Sequence, residues 1–247
     1  MAEPLIYFIL GAEGAGRREV IADLALFGLE GTDRPCLLVP ESQVAASQEV
    51  MTGLKATFPV VGWILDGTRM RATVPNGATH LFLMSDGMAD PIDQIEAFSL
   101  WLPTMPFELG RIITVVHCAL LDRQPPLLRW YDGCIHFSDV VLLNRREGLS
   151  SKWVSDYQAR LQKDSLPCHV ELVKKGRVRN PALVLFPEPR RISLIFDEEE
   201  HLYRDDDGAT DEEAVTPLVD PYFERLVSGR RVRELPDIRN YHGGEGN

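Results

Sequence analysis

Apolar residues along the first 190 positions come in short, nearly continuous runs and not in alternating stripes. The runs Leu5–Leu10, Pro35–Val39, Val60–Leu65, His80–Met84, Ile112–His117, Val140–Leu143 and Cys168–Leu172 predict strands. Between them, helical patterns predict helices at Arg17–Phe27, Gln43–Thr57, Pro91–Trp101 and Ser151–Gln162. A strand without alternation is apolar on both sides, as in a mainly parallel sheet covered by helices on both faces. The fold class expected is therefore α/β. Asp90 before Pro91 marks a helix start, an N-cap followed by a residue whose missing N–H costs nothing there. Ser150 or Ser151 caps the last helix in the same way.

The pattern changes after Phe186. Prolines and an arginine pair lead into Ile192–Phe196, a short apolar run that predicts a last strand. Ten carboxylates then fall within seventeen residues, Asp197 to Glu213, and Pro221–Glu234 mixes aromatics with Arg225, Arg230, Arg231 and Arg233. The organisation expected is one α/β domain over residues 1–190 and an acidic extension over 191–247. The extension is too polar to build a core alone, so it is expected to be flexible or draped on the domain.

Charge and cysteines narrow the setting. The 247-residue chain carries a net charge of −11, which argues against nucleic-acid binding through a basic surface. Four scattered cysteines, Cys36, Cys118, Cys134 and Cys168, read as reduced thiols and not as a disulfide framework. No apolar run approaches the roughly 18 residues of a membrane span, and the N-terminal run lacks a signal peptide's basic start. A cytoplasmic protein without membrane contact is expected, and the acidic stretch offers a strip for a basic protein partner.

The chemistry concentrates in Gly11-Ala12-Glu13-Gly14-Ala15-Gly16-Arg17-Arg18, between the first strand and the first helix. This is the glycine spacing of the phosphate-binding loop G-x-x-x-x-G-K-[ST]. Arg17 stands where a lysine would reach phosphate, and Arg18 where a hydroxyl would hold Mg²⁺. Glu13 sets an acid inside the loop, which repels phosphate and can pair with either arginine.

Other segments follow in order. Met84–Pro91 reads M-S-D-G-M-A-D-P, Thr114–Ala119 reads T-V-V-H-C-A, and Ser138–Glu147 reads S-D-V-V-L-L-N-R-R-E. Gly176–Leu183 reads G-R-V-R-N-P-A-L. Together with the loop, over residues 5–186, they resemble the CobW/HypB/UreG family of P-loop GTPases, and its CobW branch in particular. The resemblance implies a three-layer P-loop NTPase-like domain that binds GTP or GDP. It implies nucleotide contacts from Gly11, Gly14, Ala15, Gly16, Arg17 and Arg18, and a guanine site at Asn144 and Glu147. Glu147 stands for the family's aspartate with one more methylene, and it also suits a helix cap.

The same comparison implies losses. Met84 replaces the acid that holds the Mg²⁺ shell. Asp86 and Gly87 are the remaining candidates at that wall, Asp86 for partial compensation or for capping the turn, and Gly87 for the place near the third phosphate. Glu41 matches an acid of the first switch. The branch's C-x-C-C metal motif has no counterpart in Val60–Asp66, so no zinc is expected and Mg²⁺ is doubtful. Among the Cys/His neighbours, only Cys134 and His136 are spaced to share a strand face. The function expected is nucleotide binding with weak or absent GTP hydrolysis. The alternatives are a nucleotide-free pseudo-GTPase interaction module and an active GTPase chaperone for metal or cofactor insertion.

Overall fold

The computed structural model describes residues 3–164, 166–197 and 220–242. Eight strands form one sheet: β1 (Leu5–Leu10), β2 (Pro35–Pro40), β3 (Val60–Asp66), β4 (Arg69–Ala72), β5 (His80–Met84), β6 (Glu108–His117), β7 (Val140–Asn144) and β8 (His169–Leu172). Their spatial order is β4-β3-β2-β5-β1-β6-β7-β8. Every pairing is parallel except that of β3 with β4. The main helices are α1 (Arg17–Phe27), α2 (Val44–Gly53), α3 (Pro91–Trp101), α4 (Cys118–Arg123), α5 (Leu128–His136), α6 (Ser151–Lys163), α7 (Pro181–Leu185) and α8 (Arg239–His242). The class is α/β, as the continuous apolar runs require.

Two cores lie on opposite sides of the sheet. Ile6, Phe8 and Leu10 of β1 face Ile95 and Phe98 of α3 and Trp130 and Tyr131 of α5, while Tyr7 and Ile9 face Val20, Ile21 and Leu24 of α1. Because β1 is covered on both sides and flanked by β5 and β6, its C-terminal end is a fixed platform for the loop that follows. At its start α3 has the expected cap, Asp90 accepting the Ile92 N–H at 2.8 Å.

Several elements depart from the sequence reading. The antiparallel strand β4 was not expected; it is an edge strand reached through a tight turn at Gly67, φ 60°. Helices α4 and α5 fill the long connection after β6, and α2 stops at Gly53, short of Thr57. The run Ile192–Phe196 is not a strand. The amides of Ile192 and Ser193 both donate to the His136 carbonyl, and Arg191 turns inward to Asp139, so the chain runs beneath α5 instead of along a sheet edge.

Residues 220–242 lie as a strap over α3 and α5. Tyr222 and Phe223 pack on Phe137, Ile238 is buried, and Arg231 binds Asp93 and Glu96 of α3 at 2.6 and 2.5 Å. The carboxylates of 198–213 lie outside the described residues.

One end of the strap is fixed by Asp220, which accepts from Ser193 Oγ at 2.6 Å and lies 2.8 Å from His136 Nε2. Burial raises the Asp220 carboxyl, but its bonds with His136, Ser193 and the Tyr222 amide outweigh that and hold it below its ordinary 3.8. A depressed carboxyl stabilises the fold above its unfolded value, and that contribution is lost as pH falls through the folded one. Protection of the Tyr222 amide against hydrogen exchange, taken relative to its intrinsic rate at each pH, is therefore expected to persist from neutral pH downward and to be lost only below about pH 4. Protection already lost at pH 6 would contradict this anchor.

Candidate nucleotide-binding site

The site stands at the C-terminal edge of β1, where the chain turns through residues 11–16 into α1. Gly11, Gly14 and Gly16 have φ of 139°, 75° and 83°. Gly16 shows why glycine is required: it is the left-handed residue before the helix, and a Cβ there would lie 2.5 Å from Asn144 Nδ2. The first-turn N–H groups of α1 have no partners within the helix and bring its positive dipole end to the loop.

Arg17 does not extend outward. It is 3% exposed, and Nη1 donates to the Ser85 carbonyl at 2.5 Å and to Ser85 Oγ at 3.1 Å. Its other terminal nitrogen binds Glu13 Oε2 at 2.9 Å. A buried guanidinium needs such partners, because an unpaired charge out of water is costly. Burial lowers the Arg17 pKa from its ordinary value, and Glu13 works in the opposite direction. Arg18 lies across the loop toward α2: Nε donates to Ser47 Oγ at 2.8 Å, Nη2 to Gln43 Oε1 at 2.7 Å, and Nη1 meets Glu13 Oε1 at 3.4 Å. Both ion pairs open to Glu13 in the sequence are thus made at once.

The second wall is the turn after β5. The Glu13 amide donates to the Gly87 carbonyl at 3.2 Å. A Cβ on Gly87 would fall 2.4 Å from Glu13 N, 2.5 Å from Arg17 Nη2 and 2.7 Å from Ala12 C, so the approach is a backbone-to-backbone contact. Met84 is fully buried, with its carbonyl accepting Trp63 Nε1 at 3.0 Å. Asp86 caps its own turn, accepting the Met88 amide at 2.9 Å, while Gln94 of α3 grips its backbone N–H and carbonyl at 2.6 and 3.0 Å.

On the opposite side of the loop, Asn144 at the end of β7 donates Nδ2 to the Ala15 carbonyl at 2.8 Å. Arg145, in the left-handed region at φ 50°, donates Nε to the Gly14 carbonyl at 3.1 Å and pairs with Glu19 of α1 at 2.7 Å. Glu147 is exposed in the following turn. Glu41 follows β2 on the surface, its carboxylate lying against the Gly62 backbone.

No family model matches the chain, and no curated protein matches it. Solved structures do. A Zn(II)-bound form of the YjiA GTPase from E. coli is similar over 77% of this chain and 67% of that chain, with 14% identity and a TM-score of 0.46. A Zn(II)-bound triple mutant of YjiA, in which alanine replaces one glutamate and two cysteines, is similar over the same shares, with 15% identity and a TM-score of 0.45.

The donor set decides what the site can hold. A divalent cation needs oxygen ligands. At the two positions where the resemblance implies Mg²⁺ ligands, the chain offers an arginine tied to Ser47 and Gln43 and a methionine sealed in the core, and neither side chain carries an oxygen. Among the described residues, no three His, Cys, Asp or Glu side chains are grouped to share a metal. Cys134 is buried in α5, where burial pushes its thiol well above the ordinary value, and His136 is engaged with Asp220. Burial pushes Cys118 up to about 12 as well, far from the thiolate that metals require. A phosphate fits better, since glycine backbone and a helix N-terminus are the groups that cradle one.

Two participants escaped the sequence reading. Ser85 is the partner that draws Arg17 inward, and Arg145 is the residue that ties the base-side segment to the loop. Arg145 was findable as the neighbour of Asn144; Ser85 becomes a candidate only once β5 is known to lie beside β1.

Proposed function

We propose that this chain is a CobW-like guanine-nucleotide-binding protein that binds GTP or GDP without efficient hydrolysis. The observation that carries the reading is the double tie of Asn144 and Arg145 to the carbonyls of Ala15 and Gly14. It sets the segment that would meet the base at a fixed distance from the loop that would meet the phosphates. Binding would draw on the first-turn amides of α1 and on a net positive loop, two arginines against Glu13. Phosphoryl transfer depends on a cation that neutralises developing charge, and the residues at Arg18 and Met84 cannot hold one.

A second reading is favoured by Arg17. A cation buried and satisfied by Ser85 and Glu13 closes the loop without any ligand, as expected of a nucleotide-free interaction module. In either case the acidic stretch 197–213 is proposed as the face for a basic protein partner. An active chaperone for metal insertion is the least supported role, given the missing thiolates.

Calorimetric titration of GDP, GTP, ADP and ATP, with Mg²⁺ or with a chelator, separates these readings. Guanine-nucleotide binding that persists in chelator and is lost in Asn144→Ala is the expected result. Binding of no nucleotide would overturn the proposal in favour of the interaction module. Mg²⁺-dependent GTP turnover would overturn the non-hydrolytic half of it.

A further inference from the structure

The loop has two unlike ends. One, at Gly14–Gly16, is bounded by Asn144 and Arg145. The other, at Ala12–Glu13, is bounded by Gly87. A nucleotide whose base lies on the Asn144 side has to lay its phosphates over the α1 N-terminus and advance toward Glu13.

That far end is closed in three ways. Its amide is spent, because Glu13 N–H already donates to the Gly87 carbonyl at 3.2 Å. Its space is taken by the Gly87 backbone, which lies against Ala12, Glu13 and the Arg17 guanidinium. Its cations are spent as well: the one carboxylate at this end, Glu13, about one-third exposed (36%), is the partner of both loop arginines. Both Glu13 oxygens face inward to Arg17 and Arg18, so each of these two cations is already paired with the same acid. Near the helix start, by contrast, the loop residues that follow Gly14 are alanine and glycine, and the helix dipole favours an anion.

We infer that the loop prefers a nucleoside diphosphate to a triphosphate, with Glu13 as the discriminating group. The inference rests on the nucleotide-binding reading above and names the ligand class within it. Arg18 spans from Glu13 to Gln43 and Ser47 and so ties the α2 segment to the loop. Discrimination works by withholding donors, cations and space from a third phosphate, a device that sets specificity without strengthening the right ligand.

The test is equilibrium binding of GDP and of the non-hydrolysable β,γ-imido analogue of GTP, both in chelator. The wild-type protein is compared with Glu13→Gln and with Glu13→Asp, which keeps the charge. GDP is expected to bind tighter than the analogue by about tenfold or more, a gap of about 1.4 kcal/mol. The gap should shrink to under about threefold in Glu13→Gln and persist in Glu13→Asp. Equal binding of the two ligands by the wild-type protein would overturn the inference while leaving the nucleotide-binding reading intact. Binding of neither would overturn both. If Glu13→Gln fails to fold, the wild-type comparison still decides, and Glu13→Asp still reports on the charge.

Discussion

Replacing Asp139 by alanine is expected to destabilise the protein by about 3–5 kcal/mol, the usual cost of removing one partner from a buried ion pair. Asp139 is fully buried just before β7. One of its oxygens accepts the Ile112 amide of β6 at 2.7 Å; the other accepts the Arg190 amide at 2.7 Å and Arg191 Nη1 at 3.1 Å. Alanine would leave two backbone donors and one guanidinium without that acceptor, and each buried orphan carries its own desolvation cost. Arg191 would keep its pair with Asp197, so the loss falls short of a fully isolated charge. Urea unfolding measures the difference, and for a chain of this size the melting temperature should fall by roughly 6–20 °C. Asp139→Asn keeps one good acceptor and should lose clearly less. A loss below about 1 kcal/mol in the alanine variant would show that water replaces the carboxylate and that residues 190–191 are not held by it.

Gly87→Ala is expected to cost about 1–3 kcal/mol, the range for forcing an extra carbon into a filled space. What the carbon meets sets the cost. Two of its three nearest neighbours are backbone atoms of Ala12 and Glu13, and these cannot swing aside as a side-chain terminus can. Either the 86–88 turn or the loop has to move, and the Glu13–Gly87 hydrogen bond is the contact between them. Hydrogen exchange should show the Glu13 amide losing protection in the variant while amides in the middle of β1 keep theirs. Unchanged protection at Glu13 would mean that the two walls of the site are not in contact.

Much of the scaffold was legible because burial and capping leave direct marks in a sequence. β1, β5, α1 and α3 have the bounds that the apolar runs, the helical patterns and the Asp90-Pro91 signal predict. β4 was not legible, because an edge strand of four residues with two exposed arginines has neither a continuous apolar run nor enough length for a period. α5 was hidden by Gly133, a poor helix former. A Cβ at Gly133 would lie 2.9 Å from Leu235, so this glycine serves the close approach of the strap, and nothing local to the helix explains it.

The candidate site divides in the same way. The glycine loop and the nearness of Asn144 follow from spacing and from the parallel order of the strands. The direction in which Arg17 points does not, since a long side chain chooses between solvent and interior by partners that only the fold supplies. Here those partners are Ser85 and Glu13, one from the neighbouring strand's end and one from within the loop.

The strap has a practical consequence for handling this protein. Composition invites shortening the chain where the acidic stretch begins, at Asp197. Such a truncation would remove Tyr222 and Phe223 from Phe137 and Ile238 from its slot, uncovering aromatic surface beside α3 and α5. Contiguous apolar surface left in water drives self-association. The shortened protein would fail first in solubility, and a loss of activity measured on it would say nothing about the loop.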